Sequence, residues 1–177
     1  MTEVVIAIGS NYERDSHIIC ALDSLEAEFG CLKISPVYES EAVQSVDAGA
    51  TNHAYYNLVV SFKVSCSVFN LKEFLRKIEE DNNRERSGSI VTLDLDLLLY
   101  GDWVGALDNN AVPHHDISRC AYVLRPLADL LPQDIHPVYK KTYAELWKDF
   151  EEDAALYPVD FVWKDNVISV SACLQPI

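Results

Sequence analysis

The sequence predicts an α+β fold, a ferredoxin-like sandwich in which helices pack on a mostly antiparallel sheet. The first observation is the order of the predicted elements: strand, helix, strand, strand, helix, strand and then further helices, which is typical of a split βαβ unit. The second is the length of 177 residues, which suits one domain with a full core. The third is that no repeat and no linker-like stretch interrupts the sequence. We therefore expect a single domain over residues 1–177.

The first predicted elements are a strand and a helix. Val4 to Ile8 is a short apolar run closed by a Gly-Ser-Asn turn, which indicates a buried strand. Asp15 or Ser16 is expected to cap the following helix, and Gly30 is expected to end it. Apolar residues recur along one face of this helix at Ile18, Leu22, Leu25 and Phe29.

Two more strands follow, separated by a long loop. Residues 32–38 are predicted to form the second strand. The stretch 39–53 is rich in Glu, Ser, Ala and Gly without a period, which indicates a loop of the kind that often serves as a lid or binds ligands. Apolar side chains occupy alternate positions between residues 57 and 64, so this segment is predicted to form the third strand.

A second helix and a fourth strand complete the predicted sandwich. Asn70 is expected to cap the helix, and residues 81–89 are polar and predict a loop after it. The core face of this helix is expected to carry Leu71, Phe74, Leu75 and Ile78. Residues 93–100 then predict a strand.

The last third of the chain predicts short helices and a C-terminal cover. A helical stretch from Tyr122 to Leu131 is expected to be interrupted at Pro126, because proline lacks the backbone N–H of the helical ladder. Thr142 and Glu145 have the spacing of a capping box and predict the start of a last short helix. Apolar alternation between about residues 157 and 174 predicts a terminal strand or a cover over the sheet.

The charge of the chain restricts the class of its partners. The net charge of −14 argues against nucleic acid and anionic membranes, which require a basic surface. No segment approaches the roughly 18 uninterrupted apolar residues of a membrane span, and the N-terminus lacks a basic leader, so a cytoplasmic location is expected. An anionic small ligand remains compatible with this charge, because basic residues cluster just before the fourth strand at Lys72, Arg76, Lys77, Arg84 and Arg86.

The five cysteines predict neither a metal site nor a disulfide framework. They are scattered at Cys20, Cys31, Cys66, Cys120 and Cys173, with no Cys-x-x-Cys pair. We expect them to be small buried apolar residues in a reducing compartment.

The fourth strand carries two aspartates at alternate positions. Strand geometry is expected to place Leu93, Leu95, Leu97 and Leu99 on one face. Asp94 and Asp96 then project from the other face, roughly 6.5–7 Å apart along the backbone. A hard divalent cation such as Mg²⁺, shared with substrate phosphates, would relieve the repulsion between the two carboxylates. The alternative is an edge strand whose aspartates are simply solvated.

The residues around this pair favour a nucleotide-handling site. Arg84 and Arg86 precede it, and His114 and His115 follow it. Such a site requires guanidinium groups to bind phosphate, carboxylates to bind metal and an imidazole as hydrogen-bond donor. No Gly-x-x-x-x-Gly-Lys loop is present, so the P-loop mode of nucleotide binding is not predicted.

With these pieces in place, the sequence resembles the 6-hydroxymethyl-7,8-dihydropterin pyrophosphokinases of folate biosynthesis. The Thr-Leu-Asp-Leu-Asp strand followed by Val-Pro-His is the most specific match. The matching segments, in family order across about residues 4–150, are Ala7–Asn11, Val37–Ser40, Tyr55–Asn57, Leu75–Glu79, Arg84 with Arg86, Thr92–Asp96, Val112–His114 and Val123–Leu127. The resemblance implies a core over residues 1–150 and a C-terminal extension over residues 151–177.

The resemblance implies a role for each matched residue. Asp94 and Asp96 would bind two Mg²⁺ ions that bridge the phosphates of ATP and the acceptor hydroxyl. The residues expected to bind or position ATP are Arg84, Arg86, His114, His115 and Arg119, with Arg84 and His114 also catalytic. The residues expected to form the pterin pocket are Ser40, Val43, Tyr55, Asn57 and Tyr122. The partners expected are therefore small molecules, with the protein a monomer or a homodimer.

The chain departs from the family pattern near the catalytic loop. Only residues 87–91 separate the arginine pair from Thr92, a shorter loop than the family usually has, and Val91 occupies the place of a family arginine. Cys120 occupies the place of another, with Arg119 adjacent. Each lost electrostatic contact can lower a rate roughly 10²–10³-fold. There are therefore two alternatives. One is a weakened paralogue that binds pterin or nucleotide, and the other is a pyrophosphokinase with a different pterin acceptor.

Overall fold

The computed structural model describes residues 1–41, 53–86, 88–107, 110–151 and 155–171. The strands in these ranges are β1 (Thr2–Ser10), β2 (Lys33–Ile34), β3 (Tyr38–Ser40), β4 (Tyr55–Val64), β5 (Asp94–Tyr100), β6 (Gly105–Leu107), β7 (Asn110–Val112), β8 (Leu156–Pro158), β9 (Phe161–Trp163) and β10 (Asn166–Ser169). The helices are α1 (Arg14–Phe29), α2 (Val68–Asp81), α3 (Ala121–Leu130) and α4 (Tyr143–Lys148), with a 3-10 helix at His115–Ser118. None of the helices within these ranges is long and apolar enough to cross a bilayer.

The main sheet has the strand order β5-β1-β4-β3-β8, and β2 also pairs with β4. All of these pairings are antiparallel. The four predicted strands thus lie in the spatial order fourth, first, third, second, which is that of a split βαβ sandwich. The predicted α+β, ferredoxin-like fold is confirmed.

The alternation of β1 and β4 divides the core between the two faces of the sheet. On one face, Ile6 and Leu58 pack with buried residues of α1 and α2. On the other, Val5 and Val59 pack with buried residues of α3 and with Tyr143 of α4. Burial of each large apolar side chain contributes about 1.5–3 kcal/mol, so helix packing on both faces stabilises the central strands.

The predicted alternation of β5 is interrupted near its end. Leu93, Leu95 and Leu97 belong to the α1/α2 side of the core, as predicted. The register then steps from Ile6 opposite Leu97 to Val5 opposite Leu99, so Leu98 is an extra residue in β5. Such an extra residue shifts the pleat. Leu98 and Leu99 therefore both pack on the α3/α4 side, and the prediction of one face for all four leucines is wrong at Leu99.

Two helices begin earlier than predicted. Glu13, in the left-handed region at φ 43°, precedes α1, so Asp15 and Ser16 lie in its first turn rather than at its cap. Ser67 caps α2 because its side chain accepts a hydrogen bond from the N–H of Asn70 at 3.2 Å. Both predictions chose one polar residue among several, and only the backbone geometry distinguishes them.

The helices of the last third differ from prediction in one respect. The capping box of α4 is confirmed, since Thr142 and Glu145 exchange the two reciprocal hydrogen bonds. The predicted interruption at Pro126 is wrong, because α3 runs through this buried proline. Packing of α3 on the sheet compensates for the missing N–H.

The second predicted strand and the C-terminal segment have more structure than the sequence indicated. Residues 32–38 form β2 and the start of β3, and β3 extends to Ser40, inside the predicted loop. Residues 42–52 of that loop lie outside the described ranges. At the C-terminal end, β8 pairs with β3, and the buried Trp163 of the β9–β10 hairpin donates a hydrogen bond to Asp23 of α1 at 2.9 Å. The segment thus supplies both a strand and a cover.

The cysteines are less buried than predicted. Cys20 and Cys31 are exposed, and Cys66 and Cys120 are half-buried, and none of these four forms a disulfide within the described residues. Cys173 lies outside the described residues. The expectation of buried cysteines is wrong for these four: Cys20 and Cys31 lie at the surface, and Cys66 and Cys120 pack only at the edge of the core.

Candidate active site

The candidate active site lies at one end of the sheet, where three neighbouring strands place a row of residues on one face. Asp94 of β5 is opposite Gly9 of β1, which is in turn opposite Asn57 of β4. Opposed residues share a face, and glycine has no side chain, so an open strip separates the carboxylate from the amide. Asn57 Nδ2 donates a hydrogen bond to Ser40 Oγ at 2.9 Å, which fixes the amide on the far side of this strip.

The two aspartates carry negative charge that their neighbours compensate only in part. Asp96 is opposite Ala7, two residues along from the Asp94–Gly9 pair, so both carboxylates share a face. Arg84 Nη2 lies 3.7 Å from Asp94 Oδ1. The pKa of Asp96 is raised, first by desolvation in the cleft and then by the charge of Asp94, while His114 lowers it. Paired carboxylates with this surplus of charge are suitable ligands for a hard divalent cation.

Glu79 of α2 fastens the strand between the two aspartates, a role that sequence reasoning missed. This carboxylate is 5% exposed, and its Oε1 accepts a hydrogen bond from the N–H of Leu95 at 2.8 Å. Its Oε2 lies 2.9 Å from Nη2 of Arg86. Burial raises the pKa of Glu79, and the hydrogen bond from Leu95 opposes this effect. A glutamate among the apolar positions of α2 was the available signal.

Asn11 fastens the shortened catalytic loop to the end of β1, and sequence reasoning missed this role too. Its Oδ1 accepts from the N–H of Val91 at 2.6 Å, and its Nδ2 donates to the carbonyl of Ser89 at 2.7 Å. A backbone hydrogen bond from Asn11 to Val91 lies alongside at 2.9 Å. Next to it, Ser10 Oγ donates to the carbonyl of Thr92 at 2.6 Å. These bonds fix the approach of the chain to Asp94.

The two predicted arginines have different environments. Arg86 is largely exposed and is joined to Glu79, whereas the side chain of Arg84 is only 13% exposed and lies at Asp94. Arg84 Nη1 donates to the carbonyl of Glu85, and Arg84 Nε makes no hydrogen bond. Thr92 Oγ1 is the other buried side-chain atom without a partner within the described ranges. Both groups lie close to the aspartate strand in sequence or by contact, and both atoms are buried.

Three of the predicted pterin residues, Ser40, Tyr55 and Asn57, lie on the paired strands β3 and β4. Tyr55 and Asn57 are two apart on β4 and share a face, and Ser40 is opposite Tyr55. Burial raises the pKa of Tyr55, and the nearby charge of Arg84 lowers it. Tyr122 is half-buried in the first turn of α3, and burial together with its hydrogen bond to Cys120 raises its pKa. Val43 lies outside the described residues.

The predicted histidines lie beside β5, whereas the predicted Arg119 makes no comparable contact with the site within the described residues. The N–H of His114 donates to the carbonyl of Leu98 at 2.9 Å, and its ring stacks on that of His115 with centroids 4.5 Å apart. His114 and Arg86 both lower the pKa of Asp96, which shows that their charges reach this carboxyl. Arg119 is exposed, and its guanidinium makes no ion pair with any residue of the described ranges.

Residues 5–132 match the sequence model of a family described as 7,8-dihydro-6-hydroxymethylpterin-pyrophosphokinase, or HPPK. The chain belongs to this family. Two similar proteins carry the name 2-amino-4-hydroxy-6-hydroxymethyldihydropteridine pyrophosphokinase. The one from Aquifex aeolicus is 31% identical over 161 residues, which are 89% of this chain and 96% of the relative. The one from Pseudomonas aeruginosa is 34% identical over 134 residues, which are 73% of this chain and 80% of the relative.

A solved HPPK structure has the same fold. The wild-type HPPK-DHPS of Plasmodium falciparum superposes with a TM-score of 0.68 at 15% sequence identity. The superposition covers 95% of this chain and 50% of the solved chain, so this chain spans half the length of that protein. At this identity, the likeness concerns the fold alone.

Val91 and Cys120, the two positions at which the sequence is expected to depart from the family pattern, are both uncharged. Val91 is 9% exposed, and its N–H is bonded to Asn11. Cys120 is the residue before α3 and interacts with Tyr122. An arginine introduced at Val91 would have to leave the core, so restoring the family residue at this position requires the loop to move.

Proposed function

We propose that the chain transfers pyrophosphate from ATP to 6-hydroxymethyl-7,8-dihydropterin, giving the pterin diphosphate and AMP, in folate biosynthesis. The observation that carries this proposal is the row Asp94, Gly9, Asn57. It leaves an open strip between a carboxylate suited to metal-bound phosphates and an amide suited to the edge of a heterocycle. Family membership and the relatives' names support the same reaction.

The ATP side of the proposed site is built around the aspartates. We assign Asp94 and Asp96 to two Mg²⁺ ions, because the two carboxylates lie two residues apart on one face of β5, where oxygen ligands for a hard cation are brought together. When bound, these ions would neutralise the phosphates and polarise the reacting oxygens. Arg84 and His114 would place further positive charge or hydrogen-bond donors at the transferred unit. Arg86, His115 and Arg119 would contact the remainder of ATP.

The pterin side would orient the acceptor hydroxyl. The Asn57 amide, held by Ser40, would bind the hydrogen-bonding edge of the ring. Tyr55 and Tyr122 would contact the ring face, and Val43 would complete the pocket. The hydroxyl oxygen of the pterin would then bond to the β-phosphorus of ATP and release its proton to solvent. The bond from that phosphorus to the oxygen shared with the α-phosphate would break, and AMP would leave with this oxygen.

A second candidate function is a pterin- or nucleotide-binding protein with weak turnover. The observation that favours it is the buried Val91 and the uncharged Cys120 in the places of family arginines. A pyrophosphokinase acting on a different pterin is the third candidate. The Asp94–Asp96 pair favours an enzyme, because a binding protein has less need of a paired metal site.

The remaining parts of the proposal concern the organisation of the chain. We assign residues 1–150 to the pyrophosphokinase core and residues 151–177 to an extension of the same domain. Burial of Phe161 and Trp163 in the α1/α2 side of the core supports a shared domain. We further propose a cytoplasmic monomer or homodimer whose partners are small molecules.

One assay separates these candidates. The protein is incubated with ATP, Mg²⁺ and 6-hydroxymethyl-7,8-dihydropterin, and AMP and ADP are resolved by chromatography. We expect AMP in equal amount to the pterin diphosphate, and none without Mg²⁺. ADP as the product would contradict pyrophosphoryl transfer. If neither nucleotide appears but the pterin binds in calorimetry, the binding function replaces the enzymatic one.

A further inference from the structure

Three consecutive residues after β7 bring potential metal ligands together. His114, His115 and Asp116 each offer one ligand atom, and these atoms lie within 4.8 Å of one another. His115 Nε2 is 3.2 Å from Asp116 Oδ1, and His114 Nδ1 is 3.6 Å from Asp116 Oδ2. The two imidazole rings are stacked at an interplanar angle of 24°.

These distances fit a tetrahedral ion. Ligand atoms at 2.0–2.1 Å from a tetrahedral centre stand about 3.4 Å apart. The two imidazoles approach different oxygens of Asp116 at 3.2 and 3.6 Å, and the three ligand atoms span up to 4.8 Å, so the side chains must turn toward a common point. The hydrogen bond that holds His114 Nδ1 is long, since the N–H of Asp116 donates to it at 3.4 Å. Rotation of the side chains, with separation of the two stacked rings, would direct all three groups at one ion.

The backbone under these residues is already fixed. The N–H of His114 is bonded to Leu98 of β5, and the carbonyl of Asp116 accepts from the N–H groups of Arg119 and Cys120. His115 is 55% exposed, so an ion has access from solvent. A site on a fixed backbone loses little conformational entropy when the metal binds.

We propose that His114, His115 and Asp116 form a metal site selective for borderline ions such as Zn²⁺ and Co²⁺, separate from the Asp94–Asp96 pair. Imidazole nitrogen favours these ions, whereas the oxygen-only aspartate pair favours Mg²⁺. Three protein ligands leave a fourth position for water. Binding itself is independent of the proposed function. Its expected consequence, that Zn²⁺ withdraws both histidines from ATP and inhibits turnover, rests on that function.

Co²⁺ titration of the chelator-treated full chain tests the site, because tetrahedral Co²⁺ absorbs visible light strongly. We expect saturable absorption at one equivalent, displaced by Zn²⁺ and unaffected by excess Mg²⁺. His115→Gln and Asp116→Asn, checked for folding by circular dichroism, should each weaken Co²⁺ binding at least about tenfold. The double variant Cys20→Ser/Cys31→Ser should bind Co²⁺ as the wild type does. The double variant Asp94→Asn/Asp96→Asn should keep the Co²⁺ absorption, with a weaker affinity because the charges of His114 and Asp116 act on Asp96.

Results that would refute the metal site differ from results that would refute the proposed pyrophosphokinase activity. Absence of saturable absorption in the wild type would overturn the site, as would unchanged binding in both His115→Gln and Asp116→Asn. Loss of the signal in the Asp94→Asn/Asp96→Asn variant would assign the ion to the aspartates instead. None of these measurements contains ATP or pterin, so AMP formation with Mg²⁺ tests the proposed function separately.

Discussion

Carboxylates at the two ends of the sheet have opposite electrostatic environments. At the start of β1, Glu3 accepts hydrogen bonds from Lys33 at 2.9 Å and from Ser61 at 2.8 Å, and these lower its pKa. At the other end, burial raises the pKa of Glu79, and desolvation raises that of Asp96. The negative charge of Asp94 also raises the pKa of both Glu79 and Asp96.

The difference shows where the protein compensates its own charge and where it does not. A carboxylate with a lysine and a hydroxyl partner has its ionised form stabilised within the fold. At the candidate active site, burial opposes the ionisation of Glu79 and Asp96 more than their partners favour it, so the pKa of each is raised. In a chain of net charge −14, this uncompensated end is where external cations are expected to bind.

Substitution of the aspartates is expected to have the largest effect. Asp94→Asn or Asp96→Asn should lower the rate of AMP formation at least about 10²–10³-fold, because a charged metal ligand is lost. The fold should persist, since neither side chain packs in the core. Asp149→Asn, which breaks only a surface pair with Lys141, is the matched control and should retain activity. Activity within tenfold of wild type in both site variants would show that the aspartates are merely solvated.

Among the substitutions considered, Glu79→Ala is expected to lower the stability of the fold most. Glu79→Ala removes the acceptor of the buried N–H of Leu95 and should lower the free energy of unfolding by about 2–3 kcal/mol, measured in urea. Glu79→Gln keeps an acceptor oxygen and removes a buried charge, so its cost should be clearly smaller. Equal losses in the two variants would mean that packing, rather than this hydrogen bond, accounts for the role of Glu79.

Asn11 tests whether hydrogen bonds alone position the catalytic loop. Asn11→Ala leaves the N–H of Val91 without its side-chain acceptor and should cost about 1–2 kcal/mol in urea unfolding. Asn11→Asp keeps this acceptor but sets a buried carboxylate oxygen against the carbonyl of Ser89, so a loss at least as large is expected. In steady-state kinetics, kcat should fall more than KM rises, because the loop precedes the aspartate strand. Unchanged kcat in Asn11→Ala would refute the positioning role.

The smallest expected effect is a pH dependence of opposite sign at the two ends. The pKa of Asp96 is raised above 3.8 by folding, so the native state binds the proton more tightly and gains stability as pH falls through the raised value. The pKa of Glu3 is lowered below 4.5, so its contribution is present above that value and is lost as pH falls through the folded pKa. Each contribution should be under about 1 kcal/mol, because the Asp96 side chain is exposed at the surface despite its crowded surroundings, Glu3 is half-buried, and solvent screens both.

Melting temperatures of the metal-free protein between about pH 6 and pH 3 measure both contributions. As the pH falls, the melting temperature of the wild type should rise relative to that of Asp96→Asn. Over the same range it should fall relative to that of Glu3→Gln. Parallel curves for all three proteins would contradict the contrast between the two ends.

The sequence by itself determined the elements whose signals are local. The period of two in residues 93–97 predicted which side of the strand faces the core, and the spacing of Thr142 and Glu145 predicted the start of α4. The order of strands and helices was sufficient for the fold class. Such patterns are readable because the residues that interact are near one another in the chain.

Only the tertiary structure decided the roles that depend on contacts between distant segments. The hydrogen bonds of Asn11 cross 80 residues to Val91, and the extra residue at Leu98 follows from the pairing of β5 with β1. The role of Glu79 likewise depends on α2 lying against β5. A buried polar group needs a hydrogen-bond partner, and the fold can supply that partner from a segment far away in the sequence. The spacing of residues in the sequence therefore does not reveal which residues are bonded.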